Sequence, residues 1–161
     1  MFEKFGNFDS YEELNKAAEG LKQEGDVESL KALSIENGLD PEDVQDYIDG
    51  FFSDFCGPVN AAIGKLEVES KEIDVKGLWI DWVTYIKAVA IEDKQVAIAV
   101  RKKSKSLAGC IAKIMDESFK IAWNVPDEAL AESKSKMRGV KFGVPSMAEC
   151  KEIIREYYTE A

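Results

Sequence analysis

The chain carries 31 carboxylates and no histidine, and that contrast limits its chemistry from the outset. Without imidazole, Ser-His and Cys-His nucleophilic pairs and histidine-bound metal centres are excluded together. No G-x-x-x-x-G-K-[ST] or G-x-G-x-x-G loop is present to cradle phosphates. Paired carboxylates could do general acid–base work, yet at this density accidental pairs are expected and carry little information. Cys110 sits within an apolar helical run, where a thiol pKa rises and the group is inert. The expectation is a protein that is not an enzyme, uses no cofactor and holds no metal.

Charged side chains suited to binding are more informative. Glu42, Asp43, Asp46 and Asp49 fall along one side of a short helix but fail the EF-hand pattern, because no D-x-D-x-D-G loop ending in glutamate is present. An acidic face over residues 36–54 could occupy a basic groove as a DNA-like decoy; the commoner alternative is a solvated helix face. Arg101, Lys102, Lys103 and Lys105 form one basic cluster. Lys136 and Arg138, flanked by Lys134 and Lys141, form a second. Both clusters are candidate contacts to DNA or to a partner protein. Trp79 and Trp82 could stack a base, although indoles in such a run are more often core residues.

The elements that must position these groups read as helices. At 161 residues one domain is expected, and 45% hydrophobic content argues against general disorder. Residues 1–74 hold 19 acidic and 6 basic side chains, a balance of −13; residues 75–161 hold 12 and 15, a balance of +3. The domain therefore divides into an acidic subregion and a mildly basic one, with a charged connector at 70–76. Cys56, Cys110 and Cys150 are widely spaced and odd in number, so they read as reduced, buried thiols of a cytoplasmic protein. The polar, acidic amino terminus is unlike a signal peptide, and no apolar run reaches the ~20 residues that cross a bilayer.

Helix starts are marked by Ser10 with Glu13, Asp26, Asp40 with Pro41 at the first helical position, Asp93, Ser106, and Ser146 with Glu149. The expected buried faces are Leu14, Ala17, Ala18 and Leu21; Val27, Leu30 and Leu33; Val44, Tyr47 and Ile48; and Ala62, Ile63 and Leu66. Further along they are Leu78, Trp79, Trp82, Val83, Ile86 and Ala90; Val96, Ala97 and Val100; and Leu107, Cys110, Ile111, Ile114, Phe119 and Ala122. In the last helix Met147, Cys150, Ile153, Ile154 and Tyr157 point inward, with Tyr158 at the edge. Gly50 to Cys56 reads as a turn into a buried segment, and Phe2, Phe5 and Phe8 as a lead-in packing on the body. Gly64 weakens its helix, whereas Gly109 and Cys110 are small enough to admit a close neighbour. The fold class is all-α, seven to nine short helices, with room for a strand pair near 139–144.

The string K-S-L-A-G-C-I-A, from Lys105 to Ala112, resembles the helix signature of the PcfK-like proteins of conjugative plasmids and transposons. The ending Arg155-Glu156-Tyr157-Tyr158 is similar to that group's aromatic terminal helix, although the usual histidine before the two tyrosines is absent. Some relatives are anti-CRISPR inhibitors of the type II RNA-guided nuclease. The opening F-D-S-Y-E-E-L-N-K-A-A-E-G-L and the later A-A-I-G-K-L resemble longer members of that set. The resemblance implies an inhibitor that binds the nuclease, with or without guide RNA, and blocks DNA recognition or cleavage. The alternative is a conjugation or DNA-processing accessory protein of a mobile element, binding DNA or a partner.

Overall fold

Side-chain caps set most of the helix starts. The computed structural model describes residues 3–135 and 137–160; Met1, Phe2, Lys136 and Ala161 lie outside them. Helix α1 (Tyr11–Glu24) opens at Ser10, whose hydroxyl accepts from the Glu13 N–H. The Glu13 carboxylate reaches one residue past the expected box and takes the Asp9 N–H at 2.8 Å. Helix α2 (Val27–Glu36) is capped by Asp26, which accepts from Ser29 N–H. Helix α3 (Asp43–Asp49) starts two residues after Pro41, because the Asp40 carboxylate takes the Glu42 N–H at 2.9 Å and bends 40–42 into a turn first.

Helix α4 (Pro58–Glu72) has its proline in the first turn, where a missing N–H costs nothing. Helices α5 (Leu78–Glu92) and α6 (Lys94–Arg101) meet at Asp93, whose carboxylate accepts from Gln95 N–H. Helix α7 (Leu107–Ile121) is capped by Ser106. Strand β1 (Trp123–Asn124) pairs antiparallel with β2 (Lys141–Phe142), and α8 (Asp127–Ala131) lies between them in sequence. Helix α9 (Met147–Thr159) opens with both bonds of the Ser146–Glu149 capping box. Among the described residues this gives nine helices and one small two-stranded sheet, an all-α fold. The strand near 139–144 finds its partner upstream, beyond the loop, at 123–124. No helix among the described residues is long and apolar enough to cross a membrane.

Two apolar clusters form the interior. Leu14, Ala18, Leu30, Leu33, Val44, Tyr47, Cys56 and Ala61 make the first, with Phe5 and Phe8 packed against it. The second gathers α5, α6, α7 and α9 around Ala62 and Leu66. Helix α4 thus serves both, Ala61 facing one way and Ala62 and Leu66 the other. Trp82, Ile86, Cys110, Ile111, Ile114 and Ile154 are all buried, as their helical spacing implies.

Several faces differ from expectation. Phe119 is 77% exposed, because it lies five residues after Ile114 and leaves the stripe; Ser118 takes the in-phase position. Val27 and Leu78 stand at helix starts and Met147 opens α9, and all three are exposed where the first turn overhangs the core. Phe51 and Phe52 are exposed too, so only Phe55 and Cys56 of that segment turn inward. In α9 the tyrosines exchange roles: Tyr158 is buried, in phase with Ile154 one turn before it, and Tyr157 is half-buried.

Gly64 is explained by proximity. The turn after α2 crosses α4 backbone to backbone, and a Cβ on Gly64 would sit 2.2 Å from the Asn37 carbonyl oxygen. Gly38, at φ +68°, is its counterpart across the crossing. Gly20 in α1, by contrast, faces open space. Gly20→Ala should stabilise the protein by about 0.5–1 kcal/mol through helix propensity. Gly64→Ala should destabilise it by about 1–3 kcal/mol or more, since backbone must move. Urea unfolding of the two variants measures the sign; stabilisation in both would contradict the crossing.

Candidate functional site

The polar groups at the α6–α7 turn converge on a lysine that no surface reading singles out. Lys65 of α4 is 0% exposed, and its Nζ donates to three backbone carbonyls: Val100 at 3.0 Å, Lys102 at 2.6 Å and Lys105 at 2.6 Å. One turn on, Glu69 places Oε1 3.7 Å from that ammonium and accepts the Leu107 N–H at 2.8 Å through Oε2. A carboxylate at the amino end of α7 also meets the positive end of the helix dipole. Burial pulls the Lys65 ammonium down to about 8, with Glu69 holding it up, and three carbonyl acceptors favour the protonated form. Burial raises the Glu69 carboxyl, against the opposing pull of the Leu107 N–H and Lys65.

This arrangement decides what the first basic cluster presents. Arg101 is 0% exposed: it follows Ala97 by one helical turn and shares the buried face of α6. Its Nη2 donates to Asn37 Oδ1 at 2.8 Å, and its guanidinium lies 6.0 Å from the Phe8 ring centroid. It is therefore a core residue, contrary to the expectation of an exposed binding group. Lys105 is half-buried, donating to the Glu160 carbonyl at 2.8 Å and lying over the Tyr157 ring. Only Lys102 and Lys103 face outward, because their turn's carbonyls are drawn inward by Lys65.

Of the second cluster, Arg138 is exposed and Lys136 lies outside the described residues. Gly143, five residues on, packs against Ser118 and Ala122 at the carboxyl end of α7. Lys102 and Lys103 precede the amino end of the same helix, whose 15 residues span about 22 Å. Among the described residues, Lys102 and Lys103 thus stand before the amino end of α7, while Arg138 precedes the strand that packs at its carboxyl end.

Glu42, Asp43, Asp46 and Asp49 are all exposed. Asp49 accepts from Gln45 Nε2 at 2.9 Å, and none of the four forms an ion pair among the described residues. Asp40 and Asp43 stand on a cleft of about 380 Å³ between α2, α3 and α4. Lys22 of α1 donates to the Tyr47 carbonyl of α3. Catalytic chemistry finds no support in the cysteines: all three are free and buried, and burial pushes the Cys56 and Cys110 thiols up to about 12. Among the described residues no group of three or more acidic or cysteine side chains could hold a metal ion. Trp82 is core, and Trp79 half-buried at its margin.

The string from Lys105 to Ala112 is occupied with folding. The Lys105 carbonyl binds Lys65, Ser106 caps α7, and its N–H donates to the Tyr157 hydroxyl at 3.0 Å. Leu107 is tied to Glu69, and a Cβ on Gly109 would lie 2.4 Å from the Tyr157 hydroxyl. The small pair at 109–110 does admit a close neighbour, and that neighbour is α9. In α9, Arg155 Nε donates to the Tyr85 hydroxyl at 2.8 Å, while Tyr158 is 2% exposed. Lys65 and Glu69 were legible as a pair four apart on the buried side of α4, in phase with Ala61, Ala62 and Leu66. Asn37, the buried partner of Arg101, left no such signal.

No family model, no curated protein and no solved structure matches the chain.

Removing the Lys65 ammonium would take the donor from the Val100 and Lys105 carbonyls, leave the Lys102 carbonyl with only the Lys105 N–H, and deprive the buried Glu69 carboxylate of its cation. Lys65→Met should therefore cost about 3–5 kcal/mol in denaturant unfolding. Lys102→Met, at an exposed neighbour, should stay within about 0.5 kcal/mol of the parent. A Lys65 variant as stable as the Lys102 variant would contradict the buried clamp.

Proposed function

We propose that this protein is an anti-CRISPR inhibitor that binds a type II RNA-guided nuclease directly and blocks its DNA recognition or cleavage. The observation that carries the reading is the acidic stripe, three exposed carboxylates on α3 and Glu42 just before it, with no cation paired to them among the described residues. Such nucleases hold guide and target in positively charged channels and read a short motif beside the target through basic side chains. An uncompensated acidic face is complementary to those surfaces, and charge complementarity speeds encounter and fixes register. The resemblance of Lys105–Ala112 and of the tyrosine ending to PcfK-like and anti-CRISPR proteins supports the same reading. Those residues maintain the fold, so the likeness speaks for a shared helical frame, and the binding contacts belong to the acidic half.

The DNA-binding form of the accessory-protein alternative needs a continuous basic surface, because nucleic-acid affinity comes mainly from neutralised phosphates. Lys102 and Lys103 at one end of α7 and Arg138 towards the other make a weak footprint, and the acidic half repels the backbone. The inhibitor reading is preferred on that ground.

A cleavage assay with several purified nuclease orthologues, guide and target tests the proposal. At least one should lose cutting in proportion to added protein, with inhibition weakening as salt rises. The variant with Glu42→Gln, Asp43→Asn, Asp46→Asn and Asp49→Asn should keep its fold and lose about tenfold or more in affinity. Neutralising Asp127 and Glu128 on α8 should change little. Full cutting by every orthologue at large molar excess would refute the inhibitor reading, and undiminished inhibition by the fourfold variant would refute the acidic face.

A further inference from the structure

The cleft between α2, α3 and α4 combines negative charge with an apolar wall. Leu39, Phe55, Val59, Ile63 and Ile91 supply the wall, and Ile91, at the end of α5, is 63% exposed. Asp40 and Asp43 also line the cleft, and both are exposed, which puts them at its mouth. Asp40 accepts the Glu42 N–H through Oδ1, and neither carboxylate forms an ion pair among the described residues. Ser34 of α2 lines the cleft at 1% exposure, and its Oγ has no hydrogen-bond partner among the described residues. A buried hydroxyl without a partner is destabilising, so an incoming N–H that satisfies it is favoured.

These features select one class of occupant. No lysine or arginine is among the described residues that line the cleft, so its two carboxylates lack a counter-charge there. Residues 1–74, with 19 acidic and 6 basic side chains, add a long-range field that draws cations in. A bare cation would leave the apolar wall uncovered. An apolar side chain would desolvate the carboxylates and give them nothing in return. A lysine or arginine side chain matches both, with its methylene stem on the wall, its head at the carboxylates and N–H donors to spare for Ser34. At about 380 Å³ the cleft is at the small end of ligand sites, which run from ~300 to 1,000 Å³, a size suited to one long side chain. We propose that this cleft receives one basic side chain of the protein's partner, anchored by Asp40 and Asp43. The proposal rests on the inhibitor reading for the identity of that partner, a nuclease whose basic surface supplies the side chain.

A chemical-shift titration of the full chain tests the cleft without any nuclease, with the acetylated methylamides of arginine and lysine as probes. The backbone amides of Ser34, Leu39, Val59 and Ile63 should shift saturably with at least one probe, and binding should weaken as salt rises. The norleucine methylamide, a stem without charge, and methylammonium, a charge without stem, should each bind at least about fivefold more weakly. Asp40→Asn keeps an acceptor for the Glu42 N–H and should weaken the probes by about fivefold. Asn60→Arg sets a competing cation at an exposed lining position and should abolish the shifts. Circular dichroism of both variants should match the parent. Ala129→Arg, the same added charge on exposed α8, should leave probe binding unchanged. In the cleavage assay Asp40→Asn and Asn60→Arg, both outside the four stripe residues, should each raise the concentration for half-inhibition by about fivefold or more. No saturable shift with either charged probe, or norleucine binding as tightly as they do, overturns the proposal. So does an Asn60→Arg variant that inhibits a nuclease as well as the parent. A parent that binds the charged probes and inhibits no orthologue refutes the inhibitor reading and upholds the cleft.

Discussion

One buried ammonium organises the middle of this protein. Lys65 enters from α4 and turns three carbonyls of the α6–α7 connection inward, while Glu69 beside it holds the first N–H of α7. Burying the two charges costs several kcal/mol of lost hydration for each ion, and only a full set of partners offsets it. The geometry supplies that set. Arg101 extends the polar seam to Asn37 at the end of α2, next to the Gly38–Gly64 crossing. The seam joins the cluster built on α1 to α3 with the cluster built on α5, α6, α7 and α9. An acidic subregion and a basic subregion are thereby held as neighbours through α4.

That constraint shapes the surfaces available for function. Arg101 lies on the buried face of α6 and Lys105 is half-buried, so of the four-residue basic cluster Lys102 and Lys103 reach solvent. The ion pairs seen around Lys65, Lys87, Lys113 and Lys120 belong to α4 and the helices after it, where carboxylates and cations alternate. Among the described residues the exposed carboxylates at α3 form no ion pair. The chain therefore leaves two chemically distinct regions exposed: the carboxylates at α3, and the apolar side chains of Met115 and Phe119 on α7.

Much of the helical frame was legible because short-range rules decide it. Ser10, Asp26, Asp93, Ser106 and Ser146 each cap the helix that their position announces, and the stripe through Leu107, Cys110, Ile111 and Ile114 is buried. Phase errors account for Phe119 and for the exchange of Tyr157 with Tyr158. Helix overhang accounts for Leu78, Val27 and Met147. Of the candidate site, the acidic stripe was placed correctly on an exposed helix side, but Arg101 was not. A cationic side chain next to lysines reads as surface, and its burial depends on tertiary neighbours such as Asn37, sixty-four residues away. Gly64 reads as a helix flaw until the backbone crossing is seen. The partner of β2 was hidden because two-residue strands carry no periodicity.

The central claim is that the Lys65 seam makes the acidic and basic subregions one cooperative unit. Native-state hydrogen exchange measures this directly, because it assigns an opening free energy to each amide. The slowest amides of α2, such as Leu30 and Leu33, should converge with those of α5 and α7, such as Ile86 and Ile111, on a single value as denaturant rises. A separate, lower-energy opening of α1 to α3, with α5 to α9 still protected, would show that the seam does not couple them.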